Sequence, residues 1–320
     1  MLAYFDCFSG ISGDMTLGAL IHLGAPLSWL KESISRLPLA GFDSSVADVA
    51  YNGIRAKRVE VHADHDHHHR HYSDIRLLIE NSPLPDPAKR MALSIFRRLA
   101  EAEAGVHGCL PEEVHFHEVG AVDAIVDVVG TALGFHHLGI TEAVSAPVPT
   151  GRGFVDCQHG RLPVPAPATA ALLQGVPTVG TEIEYELTTP TGAAIVTTAA
   201  ASFGSRPAMT VSGIGYGAGQ RKLDPGPNLL RIMIGEKDCW SQGLGTDVIR
   251  TLTTVAFIAI LGCVLAANWL NCWTLEVAAN PVRQDGKRIF PDFQIIGWPN
   301  PCISRTVKTA TQFDHTLGKF

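Results

Sequence analysis

Between His62 and His71 the chain places six histidines and two aspartates in ten residues: His62, Asp64, His65, Asp66, His67, His68, His69 and His71. Neutral imidazoles mixed with carboxylates are the ligand set of borderline divalent ions such as Ni²⁺, Zn²⁺ or Co²⁺. No apolar periodicity runs through the stretch, so it reads as a solvated loop that could wrap an ion without a preformed cage. The plainer reading is a solvated linker that binds metal only incidentally. Affinity order alone does not choose the metal.

A second concentration of chemistry runs from Val114 to Asp127. Extended backbone over Val114 to Glu118 would turn His115 and His117 to one side, because side-chain direction alternates along a strand. Glu118 then approaches the helix that carries Asp123 and Asp127 one turn apart. Two imidazoles with up to three carboxylates suit a divalent site or an acid–base cluster. The plainer alternative is a wet helix face beside a core histidine.

Three further segments offer anion contacts. In Asp6 to Asp14, the turn Ser9, Gly10, Ser12 and Gly13 opens a helix whose N-terminal amides and dipole favour phosphate, and Asp6 and Asp14 could hold a cation beside it. It lacks the lysine and spacing of a P-loop and the three glycines of a dinucleotide fingerprint. Arg152, His159 and Arg161 lie on loops stiffened by proline and offer cationic contacts. Thr189 and Thr191 open another helix with hydroxyls and a glycine. The run Gly213 to Gly219 reads as a backbone turn.

Alternating strand and helix patterns must position these groups. Leu2 to Phe8 reads as a strand, and Met15, Leu17, Leu20, Ile21 and Leu23 as a helical face closed by Gly24. Asp86 and Pro87 start a helix with Met91, Ile95, Leu99 and Ala102 on its apolar stripe and Gly105 as its stop. Ile125, Val126, Val129 and Leu133 give another helix its buried side. Glu182 to Leu187, Ala208 to Ser212 and Leu229 to Ile234 read as strands, and Thr191 to Phe203 as an alanine-rich helix. The expected class is α/β, a mixed strand-helix domain followed by a C-terminal tail.

Composition narrows the function classes. With 320 residues, 46% hydrophobic and 18% charged, the chain is globular, and a net charge of −6 provides no basic field for nucleic acid. Seven irregularly spaced cysteines and the lack of a charged-then-apolar leader point to a reduced, cytoplasmic protein.

The composition shifts near Glu236, beyond which lie four of the five tryptophans and four of the seven cysteines. The expected domains are 1–236, with the His-rich loop at 62–71, and an atypical tail, 237–320. Between Arg250 and Glu276 there are 25 uncharged residues, including the apolar run Val255 to Ala267. A membrane helix, a buried helix or strand pair, and an out-of-frame or foreign extension all fit this stretch; Asn268 and Asn271 weigh against the first.

Taken together, Tyr4 to Met15, the His62 to His71 tract, His115 to Asp127, His159 to Pro167 and Leu187 to Gly192 resemble the LarC-type nickel insertion proteins, over roughly residues 1 to 236. The resemblance implies insertion of Ni²⁺ into pyridinium-3,5-bisthiocarboxylic acid mononucleotide, through two sulfurs and one ring carbon. The product is the nickel-pincer nucleotide cofactor of lactate racemase, and the reaction depends on CTP with Mg²⁺ or Mn²⁺. It further implies a metal-inserting lyase, a homo-oligomer, and transfer of product to a racemase-type apoenzyme. His115, His117, Glu118, Asp123 and Asp127 would then be catalytic. Ser9, Gly10, Ser12, Gly13, Arg152, His159, Thr189 and Thr191 would bind the nucleotide, and Asp6, Asp14 and the tract histidines would bind metal. Family chains continue past the equivalent of Glu236 into a further α/β domain, and no likeness to it is found from Lys237 to Phe320. A nickel-storage or metallochaperone protein without turnover is the alternative.

Overall fold

The computed structural model describes residues 1–238, other than 40, 64–69, 117–120, 159 and 224–225. Beyond Asp238 it describes four strands, 275–280, 283–284, 287–288 and 292–297. The chain divides into two compact units, Met1–Asp238 and Cys239–Phe320.

The first unit begins with β1 (Leu2–Asp6), α1 (Gly13–His22) and α2 (Leu27–Ser35). A long hairpin follows, β2 (Phe42–Tyr51) and β3 (Ile54–Ala63), paired antiparallel from Phe42↔Ala63 to Tyr51↔Ile54. Its turn is Asn52-Gly53, with φ of 51° and 80°, the left-handed pair that a tight hairpin requires. Next come β4 (Arg70–His71), α3 (Tyr72–Glu80), α4 (Asp86–His107), β5 (His115–Phe116) and α5 (Val122–His137). The chain continues through β6 (Glu142–Ser145), β7 (Val148–Thr150), β8 (Phe154–Cys157), β9 (Gly160–Pro163) and α6 (Pro167–Leu172). It ends with β10 (Thr178–Gly180), α7 (Pro190–Ala199), β11 (Ser202–Phe203), β12 (Met209–Ala218) and β13 (Leu229–Lys237).

One seven-stranded mixed sheet organises these elements, in the order β11-β6-β1-β13-β12-β3-β2. β1 is parallel to β6 and antiparallel to β13, so the first and last strands of the unit are central neighbours. The largest core cluster among the described residues includes Phe5, Ile11, Leu20, Ile95, Phe96, Leu99, Ile125, Leu133 and Ile232, with two smaller clusters around Tyr4 and Leu229. Burial of these apolar side chains is the main favourable term holding the helices on the sheet.

The mixed α/β class is as expected, but several elements differ. Gly213 to Gly219 is not a turn: Gly213, Gly215 and Gly217 lie within β12. A Cβ on Gly217 would stand 1.7 Å from the Met15 carbonyl oxygen, and one on Gly215 2.2 Å from that of Ala19. These glycines let α1 lie directly on the sheet. The helix expected to stop at Gly105 runs on to His107, and Gly108, at φ 69°, caps it in the left-handed conformation. Glu182 to Leu187 is not a strand. It crosses the end of β7, with Thr181 N–H donating to Thr150 O and Arg152 N–H to Ile183 O, and sends its last residues into a cavity. The helix expected over Thr191 to Phe203 ends at Ala199, and Ser202–Phe203 joins the sheet edge beside β6.

In the second unit Leu275–Asn280 pairs antiparallel with Asp292–Gly297, and Arg283–Gln284 with Lys287–Arg288. The apolar run Val255 to Ala267 lies outside the described residues. Among the described residues no helix is long and apolar enough to cross a membrane.

Candidate functional site

A cavity of about 410 Å³ opens where the N-termini of α1, α5 and α7 meet. Ser12, Gly13 and Asp14 enter from α1, Asp123 and Ala124 from α5, and Thr189, Pro190 and Thr191 from α7. Sequence-distant turns are tied together to make this junction. Ile11 N–H donates to Leu187 O (3.0 Å) and Thr189 N–H to Ile11 O (3.1 Å), a strand-like bridge that sets α1 and α7 side by side. Each helix is capped by its own hydroxyl: Ser12 Oγ accepts from Met15 N–H (3.4 Å) and Thr189 Oγ1 from Gly192 N–H (3.2 Å). Converging helix N-termini favour an anion, through their dipoles and their unpaired amides.

Arg221 adds a fixed cation to the same cavity. Its guanidinium lies over the Tyr185 ring, 4.9 Å from the centroid, and its carbonyl accepts from Asn228 Nδ2 (3.0 Å). Gln220, Tyr185 and Asn228 complete that wall, with Val59 and Val61 of β3 opposite in composition. None of Tyr185, Gln220, Arg221 or Asn228 stood out in the sequence, because a single arginine in an irregular loop carries no pattern.

The floor is acidic. Asp127, for which a wet helix face was the plainer alternative, is half-buried where it lines the cavity, and its Oδ1 is shielded from solvent with no hydrogen-bond partner. Its carboxylate lies against Gly13, where an added Cβ would be 2.5 Å from Oδ2. Burial pushes the Asp127 carboxyl well above its ordinary range, and the nearby charges of Asp14 and Asp123 push the same way. Burial also raises Asp14, against the opposing hydrogen bonds from Ser12 Oγ and from Met15 N–H (2.8 Å). A carboxyl with a raised pKa is the stronger base once it is ionised, so Asp127 can accept a proton only above that raised pKa.

The remaining expected site residues lie elsewhere. Asp6 faces its strand partner Arg231 in an ion pair (Nε to Oδ2, 2.9 Å), which occupies its carboxylate. Ser9 Oγ donates to Pro227 O (2.7 Å) and Gly10 N–H to Cys7 O (3.0 Å), so these two shape the turn and do not line the cavity. Arg152 pairs with Glu182 (2.7 Å) and Glu184 (3.4 Å) on the surface. His62 is exposed beside Ser45 (3.4 Å) and Glu60 (3.8 Å). His115 faces His71 across the β4–β5 pair and is not among the cavity's lining residues. His65, His67, His68, His69, His117, Glu118 and His159 lie outside the described residues.

Thiolate ligation receives no support at Cys7. Its buried thiol is pushed up to about 12 by desolvation, which keeps it protonated. Among the described residues no group of three or more His, Cys, Asp or Glu side chains is arranged to enclose an ion.

Comparison with known proteins identifies a family. The family model described as nickel insertion protein matches residues 3–301, and so continues past Glu236, where the sequence reading found no likeness. A relative from Geotalea uraniireducens is 48% identical over 289 residues, 90% of this chain and 74% of that protein. One from Citrifermentans bemidjiense is 52% identical over 288 residues, again 90% and 74%. A Desulfitobacterium hafniense protein named pyridinium-3,5-bisthiocarboxylic acid mononucleotide nickel insertion protein is 51% identical over 234 residues, 73% of this chain and 58% of that protein. No solved structure matches the chain.

Proposed function

The chain belongs to the nickel insertion protein family, and we propose that it installs Ni²⁺, as substrate, in pyridinium-3,5-bisthiocarboxylic acid mononucleotide to form the nickel-pincer nucleotide of lactate racemase. The observation that carries this reading is the cavity itself, in which an anion-seeking end and a proton-accepting end stand together. The substrate's phosphate would lie against the N-termini of α1 and α7 and the Arg221 guanidinium. Its two thiocarboxylates supply soft sulfur to the incoming ion, which imidazole ligands of the tract can deliver and release.

Closing the carbon–nickel bond replaces a ring C–H, so one proton must leave as the ring carbon takes the metal. Asp127, once ionised, would accept it, with Asp123 and Asp14 adding negative field as positive charge arrives. His115, His117 and Glu118 remain candidates for the same proton from the β5–α5 junction. CTP would enter as co-substrate with Mg²⁺ or Mn²⁺, for which Asp14 and Asp123 offer hard oxygens. On this reading the protein is a cytoplasmic, homo-oligomeric metal-inserting lyase that passes its product to a racemase-type apoenzyme. Residues 1–236 would form the inserting domain and 237–320 an appendage.

Full-length protein incubated with precursor, Ni²⁺, CTP and Mg²⁺ should yield the nickel-bearing nucleotide by mass spectrometry. Arg221→Ala should raise the KM for precursor by about tenfold to a hundredfold, the scale of one lost charge-assisted contact, with nickel stoichiometry unchanged. Nickel binding with no product under any nucleotide condition would favour storage or chaperoning without turnover.

A further inference from the structure

The tract ends on a residue that the fold holds rigidly. His71 is the last tract histidine, and it pairs in register with His115 across two very short strands, β4 and β5. Both strands are anchored by their neighbours. Tyr72 N–H donates to Val114 O (3.1 Å), and Tyr72, Val114 and Phe116 are 6%, 2% and 1% exposed. The backbones beneath the two imidazoles are therefore part of the core, whereas the imidazoles stay accessible to solvent.

The rings meet edge to face, with centroids 4.6 Å apart and planes at 77°. Nδ1 of His115 is 3.3 Å from Nε2 of His71. Two nitrogens bound to one ion at about 2.0–2.1 Å, in cis positions of an octahedron or tetrahedron, stand roughly 2.9–3.4 Å apart. The observed separation already lies in that interval.

We infer that His71 and His115 form a preorganised two-imidazole site for a borderline divalent ion, at the point where the His-rich tract joins the folded unit. The ion is bound by Nε2 of His71 and Nδ1 of His115, and the ring protons reside on the two outward nitrogens, so both imidazoles remain neutral. Water fills the other positions, which keeps the ion exchangeable, as transfer from a tract to a substrate demands. Imidazole suits Ni²⁺, Cu²⁺, Co²⁺ and Zn²⁺ alike. Only the identity of the ion as Ni²⁺ rests on the proposed insertion activity; the site itself rests on the geometry of the pair.

The test uses the full chain with His62, His65, His67, His68 and His69 changed to Ser, which removes the competing tract histidines. Equilibrium dialysis should then find a saturable Ni²⁺ site, and pulsed electron paramagnetic resonance on the Cu²⁺ form should count two coupled imidazoles. Adding His115→Gln should weaken Ni²⁺ by at least about tenfold, the smaller of the losses seen even for outer-shell partners. Adding His71→Cys instead should retain Co²⁺ and introduce a thiolate-to-cobalt charge-transfer band, which guards against a variant that merely misfolds. No saturable site in the tract-free chain, one imidazole in the Cu²⁺ spectrum, or an unchanged affinity in folded His115→Gln would each overturn the inference. Failure of the insertion assay with these binding results intact would refute the proposed reaction and leave the site standing.

Discussion

Replacing Asp127 by Asn should make the protein more stable and inactive at the same time. In the folded chain the Asp127 carboxyl is half-buried, has a solvent-shielded oxygen without a partner and sits near Asp14 and Asp123, so its pKa is held well above the ordinary 3.8. The unfolded chain releases that proton near 3.8. Above this pH the folded state binds a proton that the unfolded state has lost, so stability falls as pH rises, by about 1.4 kcal/mol per unit, until the folded pKa is passed. Asparagine keeps the shape and abolishes the ionisation. The gain should reach about 1–3 kcal/mol, the usual cost of a buried unsatisfied polar group. For a folded unit of this size that corresponds to about 2–4 °C in Tm per kcal/mol. Thermal melts of the full chain at pH 5 and pH 8 would measure it: the variant's advantage should widen at the higher pH, while nickel insertion disappears. A variant less stable than its parent at pH 8, or a Tm difference equal at both pH values, would show that Asp127 is paired in solution and refute the reasoning.

Gly13→Ala should destabilise by about 1–3 kcal/mol through overpacking, because the new Cβ would stand 2.5 Å from Asp127 Oδ2 and 2.7 Å from its Cβ. Gly105→Ala, within α4 and facing open space, should instead stabilise by about 0.5–1 kcal/mol, and paired thermal melts would expose the contrast. Ending the chain at Asp238 should leave a cooperative thermal transition, because β13 closes the central sheet between β1 and β12; a broad, non-cooperative melt would mean that the second unit is required for folding.

Local sequence carried the elements whose signals are local. The apolar stripes of α4 and α5, the strands β1 and β13, and the helix-opening turns at Ser12 and Thr189 were all legible, because periodicity and capping act over a few residues. The Asn52-Gly53 turn was equally legible, and would have revealed the β2–β3 hairpin to a reader who used it. Which turns meet was beyond any local signal. The tie between Ile11 and Leu187–Thr189 joins residues far apart in sequence, and only the mixed sheet, with β1 between β6 and β13, brings α1, α5 and α7 to one point. The glycines of β12 looked like a turn because their role is steric and concerns a helix some 200 positions away, Gly217 beneath Met15. Helical spacing put Asp123 and Asp127 on one face, but only the packing of α1 beside α5 decides that Asp123 stays exposed while Asp127 is half-buried against Gly13. The chemistry of the site was thus written as residue types along the chain, and its assembly, with Arg221 included and Asp6 set aside, was decided by long-range packing.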